Sequence, residues 1–295
     1  MCTKTHNTLR NIIWKAKYTK TVKNLEQIKN ILLSLRNFES INTIKISNII
    51  KDPQSINFNK KDLTTSYEIL KNALDNNSKI IIHGDYDVDG ITSTAILYEN
   101  LLKIGFNNTQ IQIFLPNRFK HGYGFSHKSF IEITNNYPSS EYVVIILTDC
   151  GITANKVIQL AKKQGYKVIL IDHHKLKKTV PKANAVFWNT SLTASVLSYF
   201  FGKYMEIKFL GKSNLNFSVD LAALGFICDL GDLSNSIGNT ITKIGLEQIN
   251  VNTRPGLKEL FTVCNIAHTK QIKSYDLSWV VGPRLNASGR LEDAI

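Results

Sequence analysis

Residues 79–90 have the sequence KIIIHGDYDVDG, in which an apolar run is followed directly by a histidine and three alternating aspartates. A short run of branched apolar residues is typical of a buried strand in a parallel sheet, and the amphipathic stretch at 91–104 predicts a helix after it. Ligands of open parallel sheets collect beyond the carboxyl ends of the strands. The segment therefore predicts an α/β fold with a site formed by His83, Asp85, Asp87 and Asp89.

The same alternation of apolar runs and amphipathic stretches continues along the chain. Further apolar runs lie at 111–115, 142–147 and 167–171, and residues 155–164 form another amphipathic stretch. Such alternation predicts a parallel sheet flanked by helices. A second helical region is expected over 219–261, after a less regular stretch around 191–216.

Composition divides the chain into three predicted parts. Residues 1–78 are expected to form a basic, mostly helical leader, since residues 1–80 contain 14 Lys and Arg against 6 Asp and Glu. Residues 79–215 would form the α/β catalytic core, and residues 216–295 a helical remainder of the same module. The basic leader either contacts a polyanion or presents a solvated helix face.

Charge and cysteine content narrow the class of protein. The 295 residues include 36 Lys and Arg against 23 Asp and Glu, a formal net charge of +13, which is typical of proteins that bind nucleic acid. A general compositional bias toward Lys, Asn and Ile would bring the same Lys excess without such a partner. The four cysteines are scattered, with no zinc-type spacing, and no apolar stretch reaches the roughly 18 residues of a membrane span. We therefore expect a cytoplasmic protein without a membrane partner.

Two further strands end in residues that can bind metal. Thr148-Asp149-Cys150-Gly151 follows the run at 142–147, and Asp172-His173-His174 follows the run at 167–171. Carboxylates gathered at the ends of neighbouring strands repel one another unless a cation lies between them. The alternative is that an aspartate caps the following helix or belongs to an ordinary turn. The coincidence at three strand ends favours a metal centre.

These motifs resemble the DHH phosphoesterase superfamily, which is named after the Asp-His-His motif found here at 172–174. The sequence is most similar to the bacterial single-stranded-DNA-specific 5′→3′ exonucleases of that superfamily. The matching blocks follow the family order: HGDYDVDGITST (83–94), PNRFKHGYGFS (116–126), TDCG (148–151), IDHH (171–174), DLAALGFICDL (220–230), TRPGLKEL (253–260) and GPRLNASGRL (282–291).

The resemblance implies a centre of two divalent cations, Mn²⁺ or Mg²⁺. The implied ligands are His83 and Asp87 for one ion, Asp89, His173 and Asp229 for the other, and Asp149 as a bridge between both. Asp85 would support the cluster, His174 would face the scissile phosphate, and Asp172 would orient the histidines. A mixed oxygen and imidazole set suits Mn²⁺ better than Mg²⁺, and zinc stays open.

Such a centre has a physical account as a phosphodiesterase. Two cations about 3.5–4 Å apart share a water, lower its pKa and neutralise charge on the phosphoryl oxygens, so no Ser, Cys or Lys nucleophile is needed. The resemblance implies release of 5′-mononucleotides from single-stranded DNA, in DNA repair and recombination. Single-strand-binding protein and other repair proteins are candidate partners.

Two segments are predicted to hold the strand. A glycine-punctuated loop supplies Arg118, His121 and Tyr123, which combine charge, hydrogen bonding and a stacking surface. The block at 282–291 supplies phosphate donors, namely Arg284, Asn286, Ser288 and Arg290. The alternatives are a simple turn in which Tyr123 packs down, and a surface ion pair of Arg290 with Glu292 or Asp293.

Relatives usually continue past the last block into a DHH-associated domain and often an OB-fold. The resemblance therefore implies that this chain lacks these regions, unless another polypeptide supplies them. Two other functions stay open: a small phosphodiesterase for dinucleotides or short oligonucleotides, and a truncated, non-catalytic DNA-binding relative. Intact candidate ligands argue against the last, since a scaffold has no need for mutually repelling carboxylates.

Overall fold

The structure is a computed structural model that describes residues 6–7, 13–14, 21–35, 45–138, 142–267 and 270–291, with only the backbone of residues 288, 290 and 291. The chain divides into two compact units, residues 1–43 and 44–295. In the first unit, strands β1 (His6–Asn7) and β2 (Ile13–Trp14) pair antiparallel, and helix α1 spans Leu25–Leu35.

The second unit is built on a five-stranded sheet in which every neighbouring pair is parallel. Its strands are β3 (Lys79–His83), β4 (Ile111–Phe114), β5 (Val143–Thr148), β6 (Lys167–Asp172) and β7 (Ala185–Trp188). The spatial order is β4-β3-β5-β6-β7, so the chain leaves β3 in one direction and β5 in the other. This reversal opens a crevice at the carboxyl ends of β3 and β5, where α/β proteins bind ligands.

The predicted α/β class is confirmed, because helices cover both faces of the sheet. The helices are α2 (Ile46–Lys51), α3 (Lys60–Asp75), α4 (Val88–Lys103), α5 (Arg118–His121), α6 (His127–Asn136), α7 (Asn155–Lys163), α8 (Ala194–Leu210), α9 (Val219–Cys228), α10 (Ser236–Val251), α11 (Pro255–Val263) and α12 (Gly282–Leu291). A 3₁₀ turn at Pro53–Ile56 and a π-helix at Asp276–Val281 complete them. Within the described ranges, every helix is too short or too polar to cross a bilayer.

Alternate residues of the central strands pack into two separate hydrophobic cores, one on each face of the sheet. Ile80 and Ile82 pack in one core with residues of α4 and α8, whereas Ile81 packs in the other with Phe130 of α6 and Ile158 of α7. Successive side chains of a strand point to opposite faces, so a fully apolar run is the pattern that a sheet buried on both faces requires.

The expectation of an irregular stretch around 191–216 is wrong. Helix α8 occupies most of it, and all of its residues from 194 to 206 are buried. A helix buried on every side has no polar face, so the periodicity that reveals an amphipathic helix is missing. Strand β7, just before it, is only four residues long.

The boundary between the two compact units falls after residue 43. Three residues belong to the same hydrophobic core as the sheet: Ile49 of α2, Phe58 just before α3, and Leu70 of α3. The described residues from 45 to 78 are mostly helical, but they pack as part of the second unit. The predicted division into a leader (1–78), an α/β catalytic core (79–215) and a helical remainder of the same module (216–295) stays a prediction.

A buried charged cluster joins α8 to α4. The Glu206 carboxylate lies 2.6 Å from the Lys203 ammonium, and both side chains are fully buried. Lys103 of α4 donates to the other oxygen of Glu206 over 2.8 Å. Because a buried ammonium needs its counter-charge, Glu206 is expected to contribute strongly to stability.

We predict that Glu206→Ala lowers the free energy of unfolding by about 3–5 kcal/mol, because it leaves the Lys203 ammonium buried without its carboxylate. Urea denaturation followed by circular dichroism measures this change. Asp75→Ala is the control, since it breaks an exposed pair with Lys71 and should cost far less. Equal losses in the two variants would contradict the prediction.

Candidate metal centre

All of the predicted metal ligands except His83 form one cluster near the carboxyl ends of β3, β5 and β6. Among the described residues, donor atoms lie within 4.8 Å of one another in three groups: Asp149 with His173 and His174, Asp89 with His173 and Asp229, and Asp85 with Asp87 and Asp149. Asp149 and His173 each belong to two groups, so the three groups form a continuous cluster. Residues separated by up to 144 positions, Asp85 to Asp229, thus converge on the crevice of the sheet.

Asp172 is fully buried and orients the two histidines that follow it. Its Oδ1 atom accepts hydrogen bonds from the His173 amide (2.7 Å), the His174 amide (3.1 Å) and the His174 Nδ1 (2.8 Å), and its Oδ2 accepts from the Ile152 amide (2.8 Å). Burial alone would raise the pKa of Asp172, but the hydrogen bonds and charge of His174 outweigh burial and lower it. That Asp172 supports the metal-binding histidines stays a prediction.

His173 lies at the centre of the cluster. Its Nε2 atom is 3.1 Å from Oδ1 of Asp149 and 3.7 Å from carboxylate oxygens of both Asp89 and Asp229. One imidazole nitrogen therefore faces three carboxylates that come from different elements. This is the arrangement of donors that a shared cation requires.

Asp149 follows β5 with a left-handed backbone, φ 58°, and its amide donates to the Ile171 carbonyl over 3.0 Å. Its Oδ2 atom is buried and has no hydrogen-bond partner among the described residues. Burial raises the pKa of Asp149 well above its ordinary value, and repulsion from Asp89 and Asp87 adds to the shift. A cation beside this oxygen would reverse that preference.

Asp87 and Asp89 lie at the start of α4. Asp87 is the N-cap, and its Oδ1 accepts from the Gly90 amide over 3.0 Å, so the capping alternative applies to this aspartate. Asp89 is buried and accepts from the amides of Ala194 (2.7 Å) and Ser195 (3.0 Å) at the start of α8. Burial raises the pKa of Asp89, and these hydrogen bonds oppose the shift.

The two amides that hold Asp89 were missed by sequence reasoning, because α8 itself was missed. Thr193 occupies the N-cap position and small residues follow it. A threonine before a helix is a recognised start signal, and here it was the available clue.

His83 lies at the end of β3 and is fully buried against Phe114, with ring centroids 5.1 Å apart. Burial lowers its pKa to about 3, so the imidazole is neutral. The Nδ1 atom is 3.5 Å from the Cys150 sulfur, whose thiol lies 3.7 Å from the His83 carbonyl oxygen. The Nε2 atom is buried and has no hydrogen-bond partner among the described residues.

Asp85 and Asp229 are the remaining aspartates of the candidate metal cluster. Asp85 is buried, and burial raises its pKa to about 7. It shares a group with Asp87 and Asp149, whereas His83, the predicted ligand beside Asp87, joins none of the three groups of described residues. Asp229 caps the end of α9, and burial together with Asp89 and Asp87 raises its pKa to about 7.

This donor set fits divalent cations. It offers carboxylate oxygens and imidazole nitrogens without a thiolate, and one of its atoms, Oδ2 of Asp149, is buried without a partner among the described residues. An unpaired buried polar atom is costly, and coordination removes the cost.

The loop predicted to hold the strand contains two exposed side chains and one buried histidine. The Tyr123 hydroxyl lies 2.9 Å from Nε2 of His174, and the side chain is 58% exposed, so it does not pack down. Arg118 is exposed at the start of α5. His121 is buried instead: the Asn117 amide donates to its Nδ1 (2.9 Å), and its Nε2 is 3.0 Å from Glu132. Both ring nitrogens of His121 thus stabilise the loop.

The block at 282–291 forms helix α12 beside the cluster. Asn286 accepts from the Val88 amide over 3.0 Å, so it helps to cap α4, and exposed Arg284 donates to the Val280 carbonyl over 2.6 Å. A Cβ atom at Gly289 would lie 2.6 Å from the Tyr86 carbonyl oxygen, which shows how closely α12 approaches the β3–α4 loop. The side chains of Ser288 and Arg290 lie outside the described part of the chain.

The chain is similar to proteins of a known family. Residues 79–228 match the sequence profile described as DHH family, N-terminal domain. The single-stranded-DNA-specific exonuclease RecJ of Dickeya dadantii is 32% identical over 252 residues, 78% of this chain and 42% of that protein. The exonuclease of the same name from Bacillus subtilis is 30% identical over 89% of this chain and 33% of its own length. The chain thus spans less than half the length of these curated relatives.

A solved structure supports the same comparison. The crystal structure of an exonuclease RecJ bound to manganese superposes with a TM-score of 0.68 and 28% sequence identity. The match covers 80% of this chain and 59% of that one.

The contact between Cys150 and His83 generates a prediction about metal affinity. Burial raises the pKa of the Cys150 thiol, so a neutral thiol can donate to the His83 carbonyl while its sulfur accepts the Nδ1 proton. That tautomer leaves the Nε2 lone pair for a cation. Cys150→Ala removes the acceptor, and we expect Mn²⁺ affinity to fall about 10–100-fold.

Isothermal titration with Mn²⁺ in the absence of substrate measures this affinity. Cys264→Ala is the matched control, because Cys264 is also buried but lies in the separate core of the C-terminal helices. Unchanged affinity in Cys150→Ala would contradict the role given to the thiol.

Proposed function

Because this chain belongs to the DHH family, we propose that it is a metal-dependent exonuclease that removes 5′-mononucleotides from the 5′ end of single-stranded DNA. The observation that carries the proposal is the convergence of Asp87, Asp89, Asp149, His173 and Asp229 at one edge of the sheet. The two exonucleases compared above support the choice of substrate, since they are named for single-stranded DNA.

The proposed metal assignment keeps the ligands that the resemblance implies, although His83 joins none of the three groups of described residues. His83 and Asp87 would hold one cation, Asp89, His173 and Asp229 the other, and Asp149 both, with Asp85 close to the first. Two Mn²⁺ or Mg²⁺ ions bound there would supply Lewis-acid stabilisation of the phosphoryl oxygens and lower the pKa of the attacking water.

His174 is proposed to protonate the leaving group. Asp172 accepts the Nδ1 proton, and this hydrogen bond raises the pKa of His174, which favours the imidazolium form. The Nε2 atom then carries a proton on the side where Tyr123 makes its contact. As the water oxygen bonds to phosphorus, the bond from phosphorus to the 3′ oxygen breaks, and that oxygen takes the Nε2 proton. The products are a nucleotide with a 3′ hydroxyl and a strand with a new 5′ phosphate.

The strand itself would be held by exposed groups near the centre. Arg118 offers a cation, Tyr123 offers a stacking face, and Arg284 lies on α12. Roles in DNA repair and recombination, single-strand-binding protein as a partner and a cytoplasmic location belong to the same proposal.

We predict that Asp149→Asn abolishes hydrolysis, with a loss of at least about 10³-fold, because the bridging charge disappears. Asparagine is the substitution of choice, since it tolerates the left-handed backbone at this position. Release of labelled mononucleotide from single-stranded DNA with Mn²⁺ measures the loss, and circular dichroism checks the fold. Asp75→Asn, on the exposed face of α3, is the control and should keep full activity.

Substrate length and label position test the substrate class. A 5′-labelled strand of about 20 nucleotides should release labelled mononucleotide before a 3′-labelled strand does, and faster than a dinucleotide is cleaved. Faster cleavage of the dinucleotide would favour the small-phosphodiesterase function instead. Binding of the strand without any hydrolysis in Mn²⁺ would identify a non-catalytic relative.

A further inference from the structure

Arg254 joins the start of α9 to the second half of α4. Its Nη1 and Nη2 atoms donate to the two carboxylate oxygens of Glu99, with 3.1 Å between Nη2 and Oε2. Its Nε and Nη2 atoms donate in the same way to Asp220, with 3.1 Å between Nη2 and Oδ1. One guanidinium thus makes paired hydrogen bonds to two carboxylates, which a lysine cannot reproduce because its ammonium is a point charge. We call Arg254, Glu99 and Asp220 the Arg254 clamp.

The Arg254 clamp is partly shielded from water and is fixed by its neighbours. The side chains of Arg254, Glu99 and Asp220 are 26%, 25% and 4% exposed. Ser218, directly before α9, donates a further hydrogen bond of 2.7 Å to Glu99. Pro255 keeps Arg254 out of the helical conformation, and the Arg254 backbone has φ −58° and ψ 143°. Arg254 belongs to the matching block at 253–260, to which the proposed function assigns no role.

The two helices that the clamp joins carry candidate metal ligands at their other ends. Asp89 lies in the first turn of α4, and Asp229 directly follows α9. Both share a group of donor atoms with His173. Because the clamp and this group lie at opposite ends of the two helices, α4 and α9 run antiparallel. The stretch of α4 from Glu99 to Asp89 is about 15 Å long.

The middle of the helix pair is closely packed. A Cβ atom at Gly225 of α9 would lie 2.4 Å from the hydroxyl oxygens of both Thr92 of α4 and Ser195 of α8. The Ser195 hydroxyl also donates to the Ala222 carbonyl of α9 over 3.3 Å. Closely packed interiors transmit strain, so a displacement of the helices at the clamp also displaces their opposite ends.

We propose that Arg254 is a positioning residue of the metal centre, which holds Asp89 and Asp229 at the spacing of a shared cation by tying together the far ends of α4 and α9. Without a cation, the two carboxylates repel each other, and this repulsion pushes the helices apart. Arg254 itself belongs to none of the three ligand groups. The inference rests on the proposed function only for the assignment of Asp89 and Asp229 to one cation.

The test is the Mn²⁺ affinity of the whole chain, measured by isothermal titration without substrate. Arg254→Gln removes the charge and leaves Glu99 and Asp220 facing each other, and we expect the affinity to fall at least about 10-fold. Arg254→Lys keeps the charge but loses the paired hydrogen bonds, so it should lose less affinity than Arg254→Gln and more than none. Wild-type affinity in both variants would overturn the inference.

A control of matched stability separates positioning from a general loss of folding. Leu70→Ala removes a fully buried side chain from α3, a helix that carries neither a clamp residue nor a candidate ligand. It should destabilise the chain but bind Mn²⁺ like wild type, at a temperature where circular dichroism shows every variant folded. An equal loss of affinity in Leu70→Ala and Arg254→Gln would show that affinity follows stability alone, and would overturn the inference.

Neutralising the clamp tests its mechanism. The triple variant Glu99→Gln, Asp220→Asn, Arg254→Gln removes the repulsion that Arg254→Gln leaves, so it should bind Mn²⁺ more tightly than the single variant. No recovery would contradict the clamp as the cause. If Arg254→Gln does not fold, Arg254→Lys and the triple variant are compared with wild type, and unchanged affinity in Arg254→Lys overturns the inference.

The titration needs no turnover, so its result is independent of the nuclease assay. A chain that hydrolyses no DNA but loses Mn²⁺ affinity in Arg254→Gln would keep the positioning role and lose the proposed function. A chain that degrades DNA and binds Mn²⁺ equally well with and without Arg254 would lose the positioning role alone.

Discussion

Crowding of buried like charges is the constraint on which the rest of the structure depends. The residues Asp85, Asp89, Asp149 and Asp172 are each at most 1% exposed, and all lie at one edge of the sheet. Such groups repel one another unless they bind protons, hydrogen-bond donors or a shared cation. Asp172 is satisfied by four hydrogen bonds from the backbone and His174. Asp149 keeps a buried oxygen without a partner among the described residues, and it is there that a cation relieves the repulsion most.

The helices around the sheet supply backbone amides that donate hydrogen bonds to these crowded carboxylates. The start of α8 supplies two amides to Asp89, and the start of α4 lies beside Asp87. Asn286 of α12 in turn accepts the Val88 amide, so the C-terminal helix is tied to the same end of α4. The interior of α8 is anchored by apolar packing and by the Lys203–Glu206 pair. A buried, rigid support of this kind holds ligands in place before a metal binds.

Two opposite charge distributions lie next to His174. Carboxylates gather in the acidic cluster, whereas four exposed lysines, Lys156, Lys175, Lys177 and Lys178, line a neighbouring cavity. In the proposed function, a polyanionic strand would approach the carboxylates only through bound cations, which would couple substrate binding to metal binding.

The sequence by itself determined the α/β class and the three strand ends at which candidate metal ligands gather, because each depends on a local pattern. Apolar runs reveal strands, and residues directly after parallel strands reach the same edge of the sheet. Only the tertiary structure decided that Asp85 groups with Asp87 and Asp149, that His121 is buried, that Asn286 caps α4, and that 191–216 contains a helix. These features join residues as far apart as 198 positions or belong to a helix without a polar face, so no local periodicity reports them.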